Sequence, residues 1–179
     1  AIGYAEEAKI PFELGIIRNH YVGRTFIEPQ QSIRAFGVKL KHNANKLLVD
    51  GKRVILIDDS LVRGTTSLKI VRMMRDAGAK EVHMRITAPP IKFPDYYGID
   101  TPIKDELVAA QRSIKEIGEY IGVDSIEFLS IDGIYRAMGC KDGRNLEKPA
   151  YTDHCFSGDY PTKLVDQDEE NFRPLTLLS

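Results

Sequence analysis

VILIDDSLVRGTTSLKI, residues 54–70, decides how the rest of the chain is read. RVILID is a continuous aliphatic run of the kind that fills a strand buried on both faces, and it stops at two adjacent acids, Asp58 and Asp59. Arg63 and Gly64 follow, then three hydroxyl residues, Thr65, Thr66 and Ser67. SLKIVRMMRDAGA next carries apolar residues at helical spacing to a closing glycine, and EVHMRITAPP returns to strand before two prolines end it. Strand, helix and strand in this order form a parallel βαβ unit, so an α/β fold is expected, with a mostly parallel sheet flanked by helices.

Outward from this unit the pattern is less regular. IGYAEEA has helical spacing and is closed off by Pro11, and FELGII predicts a short buried strand. From Arg18 to Lys46 periodicity is lost: Arg18, Arg24, Arg34, Lys39, Lys41 and Lys46 face a single acid, Glu28. A loop this long and this basic points to function. LLVDGK offers a turn at Asp50-Gly51. Downstream, PIKDELVAAQ and SIKEIGEYIG predict two helices, SIEFLS a further strand and IDGIYRAMG a last helix; DQDEE has the composition of a solvated tail. There are no internal repeats and no low-complexity tract.

The totals set outer bounds. A chain of 179 residues, 42% apolar and 28% charged, is sized for one globular domain. Lys and Arg number 25 against 26 Asp and Glu, a net charge of -1, which gives no global case for nucleic acid or an anionic membrane as partner. No apolar segment approaches the roughly 20 residues of a membrane span. With no secretion signal at the start, cytoplasm is the expected location. The opening AIGYAEEAKI reads as a helix already under way, as in a piece of a longer protein.

In open α/β sheets ligands bind beyond the carboxyl ends of the strands, where Asp58 and Asp59 stand. Neighbouring carboxylates accept hydrogen bonds from vicinal hydroxyls and attract hard cations such as magnesium, which suits a ribose. A helix that opens on Thr65, Thr66 and Ser67 presents free backbone N–H groups and hydroxyls to an anion. Carboxylates for a sugar next to amides for a phosphate indicate a ribose 5-phosphate. Taken singly, each residue has an ordinary explanation, since Asp is common at turns and Ser or Thr commonly caps helices. Their conjunction at one strand end is what carries weight. The stretch is not a Walker A loop, because the glycine spacing and the Gly-Lys-Ser/Thr ending are missing.

VILIDDSLVRGTTS resembles the phosphoribosyl pyrophosphate (PRPP) motif of type I phosphoribosyltransferases. With ELGIIRNHYVGRTFIEPQQSIR, FGVKLKHNANK and YYGIDTP, the chain resembles the glutamine PRPP amidotransferase family from Ala1 to about Thr162. That resemblance implies a type I phosphoribosyltransferase fold with a flexible flag loop. It also implies a phosphoribosyltransferase domain over residues 1–162, incomplete at its N-terminus, a tail over 163–179, and a separate glutaminase domain outside this chain. The implied reaction displaces pyrophosphate from PRPP with glutamine-derived ammonia, giving phosphoribosylamine, the first committed step of purine synthesis. Asp58 and Asp59 would hold the ribose hydroxyls directly or through magnesium, and Arg63, Gly64, Thr65, Thr66 and Ser67 would surround the 5-phosphate. Tyr21, Arg24 and Ile27 would line the route for ammonia, and Lys41 would reach the pyrophosphate. A homo-oligomer under purine nucleotide feedback is implied, and the chain without its glutaminase domain would be silent with glutamine.

Some branches of that family hold an iron–sulfur cluster, with ligands just before the YGIDT and FxGxYPT motifs. Asp95 and Thr152 stand where two of the cysteines would be, and Cys155 alone matches, so no cluster is expected. Cys140 and Cys155 are too few for a disulfide framework, and His20, His42, His83 and His154 share no ligand spacing and are expected to be surface or packing residues. Two other readings stay open: a nucleobase-salvage phosphoribosyltransferase, since the acidic and phosphate motif is shared, and a non-enzymatic regulator that binds PRPP or a nucleotide.

Overall fold

The computed structural model describes residues 1–18, 42–99, 101 and 103–164. The order is α1 (Ile2–Ala8), β1 (Ile16–Arg18), β2 (His42–Ala44), α2 (Lys46–Val49), β3 (Arg53–Asp58), α3 (Thr65–Asp76) and β4 (Glu81–Ile86). A 3-10 turn (Lys104–Glu106) follows, then α4 (Val108–Gln111), α5 (Ile114–Ile121), β5 (Ser125–Phe128), α6 (Ile131–Ala137) and α7 (His154–Ser157). β3, β4 and β5 form a parallel sheet in that order, with Val54 opposite Val82 and Met84 opposite Ile126. β1 and β2 form a separate antiparallel pair, Ile16 opposite Ala44.

The period-2 alternation of β4 separates two kinds of surface. Val82, Met84 and Ile86 are buried, and with Leu56 and Ile126 they meet Val71 and Met74 of α3 and Ile117 and Ile121 of α5 in one apolar cluster. The alternate residues are half-buried and polar: His83 bonds Ser125 through Nδ1 at 2.9 Å and Glu81 through Nε2 at 3.0 Å. The position of α5 is set locally. Ser113 and Glu116 form a capping box, the Ser113 N–H donating to Glu116 Oε2 at 2.8 Å, and Gly122 ends the helix at φ 81°.

Several expectations change. FELGII does not make a buried strand: among the described residues pairing is confined to Ile16–Arg18, which joins β2 outside the parallel sheet, and Phe12, Leu14 and Ile17 are exposed. RVILID is not buried on both faces. Leu56 faces the cluster, whereas Ile55, on the opposite face of the sheet, is 37% exposed. The basic segment read as irregular to Lys46 is strand again at His42–Ala44, and helix starts at Lys46. PIKDELVAAQ is not one helix but a 3-10 turn and a four-residue helix, parted at Leu107, whose backbone is extended and whose side chain is fully buried. The helix at IDGIYRAMG is followed by α7. No described helix is long and apolar enough to cross a membrane.

Candidate functional site

Asp58 ends β3, and its carbonyl accepts the Thr87 N–H at 2.9 Å, so the acidic pair is tied to the end of β4. The side chains fold onto the turn that follows. Asp58 Oδ1 accepts the Asp59 N–H at 3.1 Å, and Asp59 Oδ1 accepts the Ser60 N–H at 2.6 Å. Asp58 is half-buried and Asp59 exposed. Burial pushes the Asp58 carboxyl above its ordinary value; the Asp59 N–H pulls the other way, and the Asp59 charge adds to the rise. Two carboxylates on adjacent residues, one of them partly desolvated, favour a cation or a set of hydroxyl donors.

The hydroxyl triplet falls where the spacing predicts, with Thr65, Thr66 and Ser67 as the first residues of α3. Gly64 occupies the N-cap in the left-handed region, φ 75°, and no side chain caps the helix. Since none of the hydroxyls is spent on capping, the ordinary reason for Ser and Thr at a helix start does not apply, and the first-turn N–H groups are left for a ligand. Thr65 and Thr66 are exposed and Ser67 is buried.

Residues from much later in the chain hold this turn. Arg63 donates to Glu106 Oε2 through Nε at 2.8 Å and approaches it through Nη2 at 2.6 Å, so its side chain is anchored on the 3-10 turn. The Val108 N–H donates to the Val62 carbonyl at 2.9 Å, and Leu61 is buried. Tyr120 of α5 lies against Gly64 and is itself covered by the Arg112 guanidinium, 4.6 Å from the ring centre. No short-range pattern marks Glu106, Arg112 or Tyr120 as partners of the turn, 43 residues separating Glu106 from Arg63. A Cβ at Gly64 would stand 3.2 Å from the Tyr120 ring, in a backbone conformation that costs an L-residue about 1–2 kcal/mol. Gly64→Ala is therefore expected to lower the unfolding free energy in urea by at least that amount; an unchanged midpoint would show that the turn does not need its glycine.

Tyr21, Arg24 and Lys41 lie outside the described residues. Of the two places expected for His154, surface or packing, it takes the second, buried in a polar cluster with Asp95.

A parallel sheet flanked by helices, with paired acids at a strand end ahead of a glycine-led helix, is the type I phosphoribosyltransferase fold. Within that class the chain is 63% identical over 172 residues to an amidophosphoribosyltransferase of Rhizobium etli, covering 96% of its own length and 34% of that protein. It is 51% identical over 165 residues to the amidophosphoribosyltransferase of Bacillus subtilis, covering 92% of itself and 34% of the relative. A solved B. subtilis glutamine PRPP amidotransferase, complexed with ADP and GMP, superposes with a TM-score of 0.73 at 49% identity, over 91% of this chain and 35% of that one. The chain thus spans about a third of the length of the relatives it matches. No family model matches it.

Proposed function

We propose that this chain is the PRPP-binding part of an amidophosphoribosyltransferase, which forms 5-phosphoribosylamine from PRPP and glutamine-derived ammonia and releases pyrophosphate in the first committed step of purine synthesis. The observation that carries the reading is the juxtaposition of Asp58 and Asp59 with the uncapped first turn of α3. In it the carboxylates of Asp58 and Asp59 take the ribose hydroxyls, and the N–H groups and hydroxyls of Thr65, Thr66 and Ser67 take the 5-phosphate, with Gly64 allowing close approach. The anchored Arg63 acts mainly by holding the turn through Glu106. The donor set of Asp58 and Asp59 suits magnesium, which when bound offsets the charge of the pyrophosphate. Tyr21 and Arg24, on the flag loop, line the route for ammonia and Lys41 reaches the pyrophosphate, and a loop that excludes water over the leaving group protects an oxocarbenium-like centre from hydrolysis.

Residues 1–162 make up the phosphoribosyltransferase part and 163–179 a tail, with glutamine hydrolysis in a separate glutaminase domain; the 179-residue chain alone is silent with glutamine. The ADP and GMP named for the B. subtilis neighbour support purine nucleotides as feedback ligands. A homo-oligomer in the cytoplasm completes the reading. The one thiol beside Asp95 and Thr152 does not fit a four-cysteine iron–sulfur cluster.

Titration of PRPP with magnesium into the 15N-labelled chain tests the proposal. Saturable shifts centred on residues 58–68 are expected. No binding at millimolar PRPP, or shifts confined to another face, would refute it, and a free nucleobase that binds without PRPP would favour a salvage enzyme.

A further inference from the structure

Three donors of different chemistry converge where the segment after β4 meets α7. Ligand atoms of Asp95, His154 and Cys155 all lie within 4.8 Å of one another. Asp95 Oδ2 stands 2.7 Å from His154 Nε2 and 3.9 Å from Cys155 Sγ. Asp95 and His154 are 9% and 5% exposed, which places this chemistry in the interior. We propose that Asp95, His154 and Cys155 bind a single divalent cation of the zinc class, at a site separate from the acidic pair of β3.

The trio is preorganised. Asp95 Oδ1 accepts the N–H groups of Tyr97 at 2.8 Å and Ile99 at 2.9 Å, which fixes the carboxylate and leaves Oδ2 turned to the other two donors. The His154 ring is set edge-on to Tyr97 and tilted against Tyr160, both with centroids at 5.0 Å, and Tyr160 is in turn held by its hydroxyl donating to the Pro94 carbonyl. The Cys155 carbonyl accepts the N–H groups of Lys92 and Phe93, so the two segments that supply the donors are bonded to each other. Orientation by a surrounding shell of this kind is what a metal site requires.

Charge and size also agree with a cation. A buried carboxylate and a thiolate together carry two negative charges, which a dication neutralises, and carboxylate, imidazole and thiolate are all zinc donors. Bond lengths of about 2.0–2.3 Å imply donor separations of roughly 3.3–3.5 Å in a tetrahedral site, so the approach of Asp95 to His154 opens and that of Asp95 to Cys155 closes, each by under about an ångström. On binding, the Cys155 thiol gives its proton to solvent and the imidazole is neutral, its proton on Nδ1. Nδ1 is buried and has no hydrogen-bond partner among the described residues, so the bound ring lacks the outer acceptor found in the tightest zinc sites. Micromolar affinity is expected in place of the far tighter binding of structural zinc.

Cobalt(II) is the probe. The chelator-treated 179-residue chain should take up one equivalent, with visible d–d absorption and a thiolate-to-cobalt charge-transfer band in the near ultraviolet, and release about one proton per ion. Cys155→Ser should lose the charge-transfer band and at least tenfold in affinity while keeping its circular dichroism, and Cys140→Ser should change neither. Zinc should displace cobalt and raise the Tm of the unaltered chain but not of Cys155→Ser. No saturable uptake by the unaltered chain, or uptake with the same band in Cys155→Ser, overturns the proposal.

Discussion

Replacing Asp58 and Asp59 together by asparagine is expected to weaken magnesium-dependent PRPP binding by at least about 100-fold, since each charge-assisted hydrogen bond to the ligand is worth roughly 1.5–3 kcal/mol. Stability should not fall in parallel. Asp59 is exposed, and the Asp58 carboxyl is raised by burial, so its charged form is a cost to the folded state at neutral pH that asparagine removes. Calorimetric titration beside urea unfolding separates the two effects, and an affinity within threefold of the unaltered chain would end the assignment. The same burial gives a pH signature. A carboxyl held above its ordinary value is protonated early as pH falls, so binding should begin to weaken above the usual carboxylate range.

Arg144→Ala should have the largest effect on folding. The guanidinium, 9% exposed, pairs with Asp153 through Nε at 2.5 Å and Nη2 at 3.1 Å, and reaches Asp159 at 2.7 Å. Asp153, with its side chain 5% exposed, also accepts from Tyr135 at 2.9 Å and Ser157 at 2.7 Å. Removing the arginine strands a buried carboxylate, a change worth about 3–5 kcal/mol, or roughly 6–20 °C in Tm for a chain of this size. Burial alone would raise the Asp153 carboxyl, but the bonds from Arg144, Ser157 and Tyr135 outweigh it and hold the group below its ordinary value. A depressed carboxyl contributes stability above its unfolded pKa of about 3.9 and loses it as pH falls through the folded value. The gap between variant and parent should therefore be full at neutral pH and close in strong acid. A Tm difference under about 2 °C at pH 7 would show that the pair carries little.

What could be read in advance follows from sequence distance. β3, α3 and β4 were legible because each is set by its own periodicity and punctuation, and the acidic pair and hydroxyl triplet fall at the boundaries between them. The open second face of β3 was not, since an aliphatic run has the same composition whether one face or both are covered; Ile55 shows the difference. Nor was the support of the phosphate turn legible, because Glu106 and Tyr120 reach Arg63 and Gly64 only after the chain has folded back. The same holds for His154, whose partner Asp95 is 59 residues away and shares no periodicity with it. The candidate lid residues Tyr21, Arg24 and Lys41 fall outside the described segments, so their assignment still rests on the resemblance alone.

The strand order β3-β4-β5 also bears on the order in which the chain folds. β3 and β4 meet across 28 residues at Arg53 and Glu81, with α3 between them, whereas β5 must close 42 residues to bring Ser125 to His83. Loop-closure entropy grows with the length closed, so the shorter β3–α3–β4 unit has the kinetic advantage, and β5 with α5 joins a sheet already begun. The acidic pair and the hydroxyl triplet both lie inside that early unit, while Tyr120 arrives with α5. In refolding, amide protection around residues 54–86 should precede the final shape of the turn at Gly64, and the carboxylates would stand in place before the ring that locks their neighbour comes to rest.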